Sequence, residues 1–484
     1  MKAMKAMKAM KVMQAWLLIL VFVLLAVFPS CKSKPEGGTP TDSGTGEKTE
    51  IIADIPQRAY NTHFTILNPN RKLLDTYYWC EDEKAGTSID AANYGREAAI
   101  EEHLGIEIFH ELYELKEGTL YRLIEQQNLT GTEAYQLFLT HSFQDLVSIV
   151  TTDSVQDLSQ VSGVSLNEDY WNTQIMEQVR FQGHMFLGSS SFILHEPVVM
   201  LFNKNMAGAL LSDGGAAQLY DHVREKTWTI EQMQTYAKMV DTGMNSSLAN
   251  KKDGTYGFAT LLDWELASFA QANHYFHGTV TEEGSVKLQA FNDDIFKIFQ
   301  KVVGLVDQEY TYSWRYSDIG TGAELSISTG RVLFATSGTP DMIPLMLESE
   351  IPIGVLPYPT IEAGMSYQSL DWAGYFAVPR AIANTQMSGE VAELLSWYGE
   401  NTIKNEFYNV LLGLRASNEP EDREMLALIF DNLVADPALP YMNEGASPVA
   451  YIFYVISRML SKGERGMAGW YAQYYDPAQA ALKF

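Results

Sequence analysis

The stretch 86–108, GTSIDAANYGREAAIEEHLGIEI, reads as one helix followed by one strand. Ser88 to Leu104 form the helix, Gly105 stops it, and Ile106 to His110 form the strand. Glycine ends a helix readily because it enters the left-handed backbone region without a steric cost. A strand near Thr65-Ile66-Leu67 comes before this unit, and a helix at about Thr119 to Asn128 and a strand at Ala134 to Leu139 come after it. Strand-like and helix-like segments go on alternating for about 300 residues without an internal repeat, which is the pattern of an α/β fold.

Further along, TWTIEQMQTYAKMV offers Thr229 as a helix N-cap with Gln232 three residues on, and Ile230, Met233, Ala237 and Val240 fall on one helical stripe. Asn292 caps a second helix, whose Ile295, Phe299, Val302 and Val306 share a face. Short apolar runs at Arg331 to Ala335, Ile351 to Leu356 and Tyr375 to Val378 read as buried strands. Beyond about Met387 the pattern is helical, with one stripe at Val391, Leu394, Leu395 and Tyr398 and another at Met425, Leu426, Ile429, Phe430 and Leu433.

Composition narrows the function classes. The 484 residues, 46% hydrophobic and 19% charged, are enough for two or three domains with proper cores and too apolar for a disordered tract. Lys and Arg number 34 against 60 Asp and Glu, and the net charge of −26 repels phosphate backbones, which argues against a nucleic-acid partner. The two cysteines, Cys31 and Cys80, cannot build a disulfide framework or a Cys-x-x-Cys zinc site. Cys80 follows Tyr77-Tyr78-Trp79 and reads as a buried thiol.

The N-terminus reads as an address. MKAMKAMKAMKVMQ carries Lys2, Lys5, Lys8 and Lys11 and no acid, and the 14-residue apolar run Ala15 to Phe28 follows it. That run falls short of the ~20 residues a spanning helix needs, so residues 1–30 read as a secretory signal peptide ending at Pro29-Ser30-Cys31. The segment after Cys31, KSKPEGGTPTDSGTGEKTE, is rich in Gly, Ser, Thr and Pro and reads as a flexible tether over 31–51. The signal resembles that of bacterial lipoproteins, in which the peptidase cuts before a cysteine that then carries a diacylglycerol. Phe28 and Pro29 depart from that pattern, and ordinary secretion with an incidental thiol at Cys31 is the alternative.

Taken in order, segments of the mature chain resemble the extracellular solute-binding proteins of family 1, the lipid-anchored receptors of bacterial ABC importers and relatives of the maltodextrin-binding protein. The segments are 86–108 above, VQDLSQVSGVSLNEDYWNTQI (155–175), QGHMFLGSSSFILHEPVVMLFNKNM (182–206), TWTIEQM (227–233), GTYGFAT (254–260), GRVLFATSG (330–338), IPIGVLPYPT (351–360) and WAGYFAVPRAIAN (372–384). Phe202-Asn203-Lys204 is the most telling piece, and RASNEPEDREMLALIFDNLVADPAL (415–439) looks like the tail of one subgroup. The resemblance implies a two-lobe type II fold, each lobe an α/β sandwich, with a hinged cleft between them. By the matched positions the N-terminal lobe would hold 52–200 and 334–374, and the C-terminal lobe 204–332 and 377–484.

The resemblance further implies a monomeric receptor that captures a carbohydrate, expected to be an oligosaccharide, outside the cytoplasmic membrane and passes it to an ABC permease. No cofactor, no metal and no catalytic residue is expected; Gly-x-Ser-x-Gly, Walker, Gly-x-Gly-x-x-Gly and His-Glu-x-x-His signatures are all missing from the sequence. His274 and His277 read as a helix surface pair, and Glu81-Asp82-Glu83 as a solvated loop rather than paired carboxylates for glycoside hydrolysis. A sugar needs aromatic faces for its C–H surface and acids, amides or Arg for its hydroxyls. Candidates at strand ends and hinge edges are Asp371-Trp372, Asp263-Trp264, Trp314-Arg315, Glu196, Trp79, His141 and Ser142. Hinge packing is the alternative for Asp371-Trp372 and a hinge hydrogen bond for Glu196, whereas Trp171 reads as structural. The other classes open to this sequence are a receptor of the same fold for a non-sugar solute, a surface glycan-acting enzyme and a signalling receptor.

Overall fold

The structure, a computed structural model, describes residues 51–70, 79–80, 88–116, 118–140, 145–211, 214–240, 252–315, 318, 324–372, 374–407, 420–442 and 447–482. Residues 1–50 with Cys31, the Tyr77-Tyr78 pair, the Glu81-Asp82-Glu83 cluster and His141-Ser142 lie outside the described residues.

Two sheets organise the chain. The first has four strands in the order Phe376–Ala377, Leu137–Leu139, Thr62–Pro69, Ile106–Tyr113. Thr62–Pro69 runs parallel to both of its neighbours, while Phe376–Ala377 is antiparallel to Leu137–Leu139. The second has five strands in the order Thr311–Trp314, Tyr256–Leu261, Val332–Gly338, Val198–Asn203, Ile353–Leu356. Its first three are parallel, and Val198–Asn203 is antiparallel to both strands beside it.

Each sheet is covered on both faces, which explains the continuous apolar runs of its central strands. In the second sheet Val198, Met200, Phe202 and Phe258 face one core with Trp228, Met233, Ile295 and Phe299, while Val199, Leu201, Ala259 and Val355 face another with Leu426 and Ile429. In the first, Phe64, Ile66, Leu137 and Leu139 lie on one side and Leu67 and Phe138 on the other.

The local expectations hold closely. The helix spans Ser88–Leu104, and Gly105 adopts φ +62°, where an added Cβ would sit 2.8 Å from the Ala59 Cα. Thr229 caps the helix Ile230–Ala237 by accepting the Gln232 N–H at 3.1 Å, and Asn292 caps Asp293–Val306. Asn203 caps Lys204–Leu210, and Lys204 Nζ donates to the buried Asp422 carboxylate at 2.6 Å. This pair ties the Phe202-Asn203-Lys204 turn to the helix Pro420–Phe430, a long-range reason for both residues.

Long-range expectations need correction. Sheet pairing puts Val332–Gly338 and Ile353–Leu356 with Val198–Asn203, not with the first sheet as 334–374 implied. Phe376–Ala377 joins the first sheet, and Val391, Ala392, Leu394 and Leu395 of the helix Thr385–Tyr398 pack in its core, so the start of 377–484 belongs there too. The crossings thus lie at about 194–197 and 371–375, at the antiparallel bridge Pro197–Asp371. Leu433 is not helical: Leu433–Val434 is a short strand parallel to Ser369–Leu370. His274 and His277 are not a surface pair, because His274 has φ +60° outside any helix and His277 is fully buried against Asp436. Cys80 is half-buried.

Candidate functional site

The strand Tyr256–Leu261 ends at Leu262-Asp263 and turns into the short helix Trp264–Ala267. Carboxyl ends of parallel strands are where open α/β sheets bind ligands, because the loops that leave them are free to vary and their helix starts carry unpaired N–H groups. The half-buried Trp264 ring stands there, edge-on to Trp372 with centroids 5.9 Å apart. Trp372 is 6% exposed and stacks on Tyr454 at 6.4 Å, with Phe453 edge-on at 5.9 Å. Its indole N–H donates to Ser268 Oγ at 3.0 Å, and that hydroxyl donates to the Trp264 carbonyl at 2.8 Å. Trp372 therefore props the turn that carries Trp264, and Trp264 is the ring that keeps solvent-facing surface.

Charged groups flank this ring. Arg458 lies over the Tyr451 ring at 4.2 Å and the Tyr454 ring at 5.7 Å, a cation–π contact that orients its guanidinium. Asp263 is half-buried, and burial raises its carboxyl above the usual range, opposed by the Trp264 N–H and the Arg458 charge. Behind them Glu265, 6% exposed, accepts the Leu261 N–H at 3.0 Å and a hydrogen bond from Thr336 Oγ1. Burial pushes Glu265 up to about 8 despite these donors, so it is largely protonated at neutral pH.

The other predicted residues separate into distinct places. Across the bridge Pro197–Asp371, side chains alternate, so Glu196 and Trp372 share one face and His195 and Asp371 the other. Asp371 accepts the Glu196 N–H at 2.7 Å and faces His195 Nδ1 at 2.7 Å, which makes it a clamp of the crossing rather than a neighbour of the Trp372 ring. Glu196 is buried and its carbonyl accepts the Trp372 N–H at 3.2 Å. Trp314 packs on the core of the opposite sheet face, beside Tyr312, while Arg315 is exposed and donates to the Ser461 carbonyl at 2.7 Å. Trp79 belongs to the first lobe, stacked on His110 at 4.5 Å, with no hydrogen bond to its Nε1 among the described residues. Trp171 is structural as read: its Nε1 and the Tyr170 hydroxyl donate to Glu393 at 3.0 and 2.5 Å. Phe453, Tyr454 and Arg458 escaped the sequence reading, although an Arg four residues after a Tyr on a helix is a signal for a stacked guanidinium.

No family model matches the chain, and no curated protein matches it. Solved structures do. The ABC substrate-binding protein Lmo0181 from Listeria monocytogenes, in complex with cycloalternan, is similar at TM-score 0.53 and 12% identity over 88% of this chain and 100% of that one. An ABC transporter solute-binding protein from Thermotoga lettingae, bound with α-D-tagatose, is similar at TM-score 0.53 and 13% identity over 87% and 100%. The GacH receptor of Streptomyces glaucescens, studied unliganded and with acarbose, is similar at TM-score 0.56 and 12% identity over 86% and 98%. The chain has the two-lobe, periplasmic-binding-protein-like fold of the ABC-transporter solute-binding proteins, with mixed sheets and flanking helices.

Proposed function

We propose that this protein is an extracellular carbohydrate receptor, anchored through a lipid on Cys31 to the outer face of a bacterial cytoplasmic membrane, that delivers an oligosaccharide to the permease of an ABC importer. Residues 1–30 are the signal peptide and 31–51 the tether. The receptor acts as a monomer, without a cofactor and without chemistry of its own. The observation that carries this reading is the half-exposed Trp264 ring at a strand carboxyl end, propped by Trp372 and flanked by Asp263 and Arg458. A ring face covers the C–H surface of a pyranose while an acid and a guanidinium fix its hydroxyls. That the three similar structures come from sugar-bound or acarbose-bound proteins supports the same ligand class here. A ligand touching both lobes would favour the closed arrangement by its differential affinity.

The test is a calorimetric and thermal-shift titration with mono- and oligosaccharides, since a ligand that binds only the folded state raises the melting temperature with concentration. Saturable binding of one sugar class, weakened about 100-fold by Trp264→Ala as the loss of a central aromatic anchor predicts, supports the reading. Undiminished sugar binding in Trp264→Ala moves the site away from this ring, a shift only with peptides, polyamines or metal chelates sinks the sugar assignment, and turnover of chromogenic glycosides replaces the receptor by an enzyme. Lipid attachment is checked separately by Cys31→Ser, which should move the protein from the membrane to the soluble fraction.

A further inference from the structure

Arg458 lies on the helix Val455–Lys462, and Tyr451 on the short helix Val449–Phe453 just before it. The Arg458 guanidinium stands 4.2 Å over the Tyr451 ring, and the Tyr474 ring stacks on Tyr451 at 4.5 Å with 14° between the planes. Two groups this close to one ring centroid cannot share a face. Tyr451 is therefore sandwiched between the guanidinium and Tyr474, and it has no free face to offer a solute. Tyr474 is packed in turn by the Trp470 ring, 4.6 Å away.

Trp470 and Tyr474 belong to Met467–Ala480, the last helix among the described residues. That helix grips Tyr451 twice, once through the Tyr474 ring and once through the buried Trp470, whose indole N–H donates to the Tyr451 carbonyl at 2.7 Å. Lys462 Nζ, at the end of the helix that carries Arg458, lies over the Trp470 ring at 4.8 Å and closes the loop. A guanidinium on a ring face is attracted by the quadrupole of the ring. It also gives up rotamer freedom before a solute arrives, so binding does not have to supply that ordering. Held in this way, Arg458 acts on Asp263, where its charge opposes the effect of burial and favours the carboxylate.

We propose that the helix Met467–Ala480 is a positioning element of the sugar site: through Tyr474 and Tyr451 it holds Arg458 beside Asp263 and Trp264, and it sets affinity without touching the ligand. The inference rests on the receptor reading and adds to its site a layer behind the ligand. Tyr451 and Tyr474 are positioning residues, and the face of the Tyr451 ring, not its hydroxyl, is what holds the guanidinium.

Two measurements on the full chain in detergent test this. The first needs no sugar: it is the rate at which phenylglyoxal modifies Arg458, read by peptide mass spectrometry. Tyr451→Leu and Tyr474→Leu, which keep apolar bulk but remove a ring, should raise that rate about fivefold, the factor one cation–π contact allows, while Tyr451→Phe keeps the wild-type rate. The second is calorimetry with acarbose, maltotriose and D-tagatose as probes. A probe that binds the wild type should bind Tyr451→Leu about fivefold more weakly and Tyr451→Phe equally well, and Tyr451→Leu should cost nothing further in the Arg458→Ala background. Wild-type modification rates in both leucine variants overturn the proposal, as does wild-type affinity in Tyr451→Leu. A loss of affinity in Tyr451→Phe overturns it by placing the hydroxyl against the ligand, and a loss that persists in full with Arg458→Ala overturns it by taking Arg458 out of the effect. Absence of binding by all three probes counts against the receptor reading instead, and the modification rates then decide by themselves whether the last helix holds Arg458.

Discussion

Replacing Glu265 by Gln should remove a pH dependence from the stability of the five-stranded lobe. Glu265 is 6% exposed and its carboxyl is raised from 4.5 to about 8, chiefly by burial, with Asp341 and Asp263 adding repulsion. The folded state thus holds this proton more tightly than the unfolded state. The contribution to stability is complete below pH 4.5 and is lost as pH rises through 8. At about 1.4 kcal/mol per pH unit, the loss between pH 5.5 and 8 is about 3 kcal/mol. The amide introduced by Glu265→Gln would be neutral throughout and would keep an oxygen to accept from Leu261 N–H and Thr336 Oγ1, so the local packing survives. Urea unfolding followed by tryptophan fluorescence at half-unit pH steps measures this as the difference between the two proteins. The wild-type curve should fall toward alkaline pH relative to the variant, with the gap opening between pH 5.5 and 8. Two parallel profiles over that range would refute the argument, because they would mean that Glu265 exchanges its proton equally in folded and unfolded chains.

Trp372→Ala should cost about 3–5 kcal/mol, measured as a lower urea midpoint, because it removes a buried ring from between Trp264, Phe453 and Tyr454 and leaves Ser268 without its indole donor. A cost below about 1 kcal/mol would show that the ring is not the prop of the Trp264 turn. Asp422→Ala should cost about 3–5 kcal/mol by stranding the buried Lys204 ammonium and unpairing Tyr220 Oη and the Val355 N–H, and pairing it with Lys204→Met should recover part of that loss. Additive losses in the double variant would contradict a coupled pair.

Much of the fold was legible because it is local. Ser88–Leu104 with Gly105, and the caps at Thr229 and Asn292, follow from backbone sterics and side-chain hydrogen bonds within three residues, so the sequence alone determines them. The order of weak motifs also sufficed for the two-lobe architecture. Sheet membership was not local: Val332–Gly338 and Phe376–Ala377 are similar short apolar runs, and only their registers against Val198–Asn203 and Leu137–Leu139 assign them to different lobes. The candidate site was half legible for the same reason. Trp264 announces itself at a strand end, but Trp372 became its prop, Asp371 turned to the opposite face, and Arg458 arrived from a helix almost 200 residues later in the chain. A tryptophan's chemistry is written in the sequence; whether its face meets solvent or another ring depends on the neighbours that the tertiary fold brings to it.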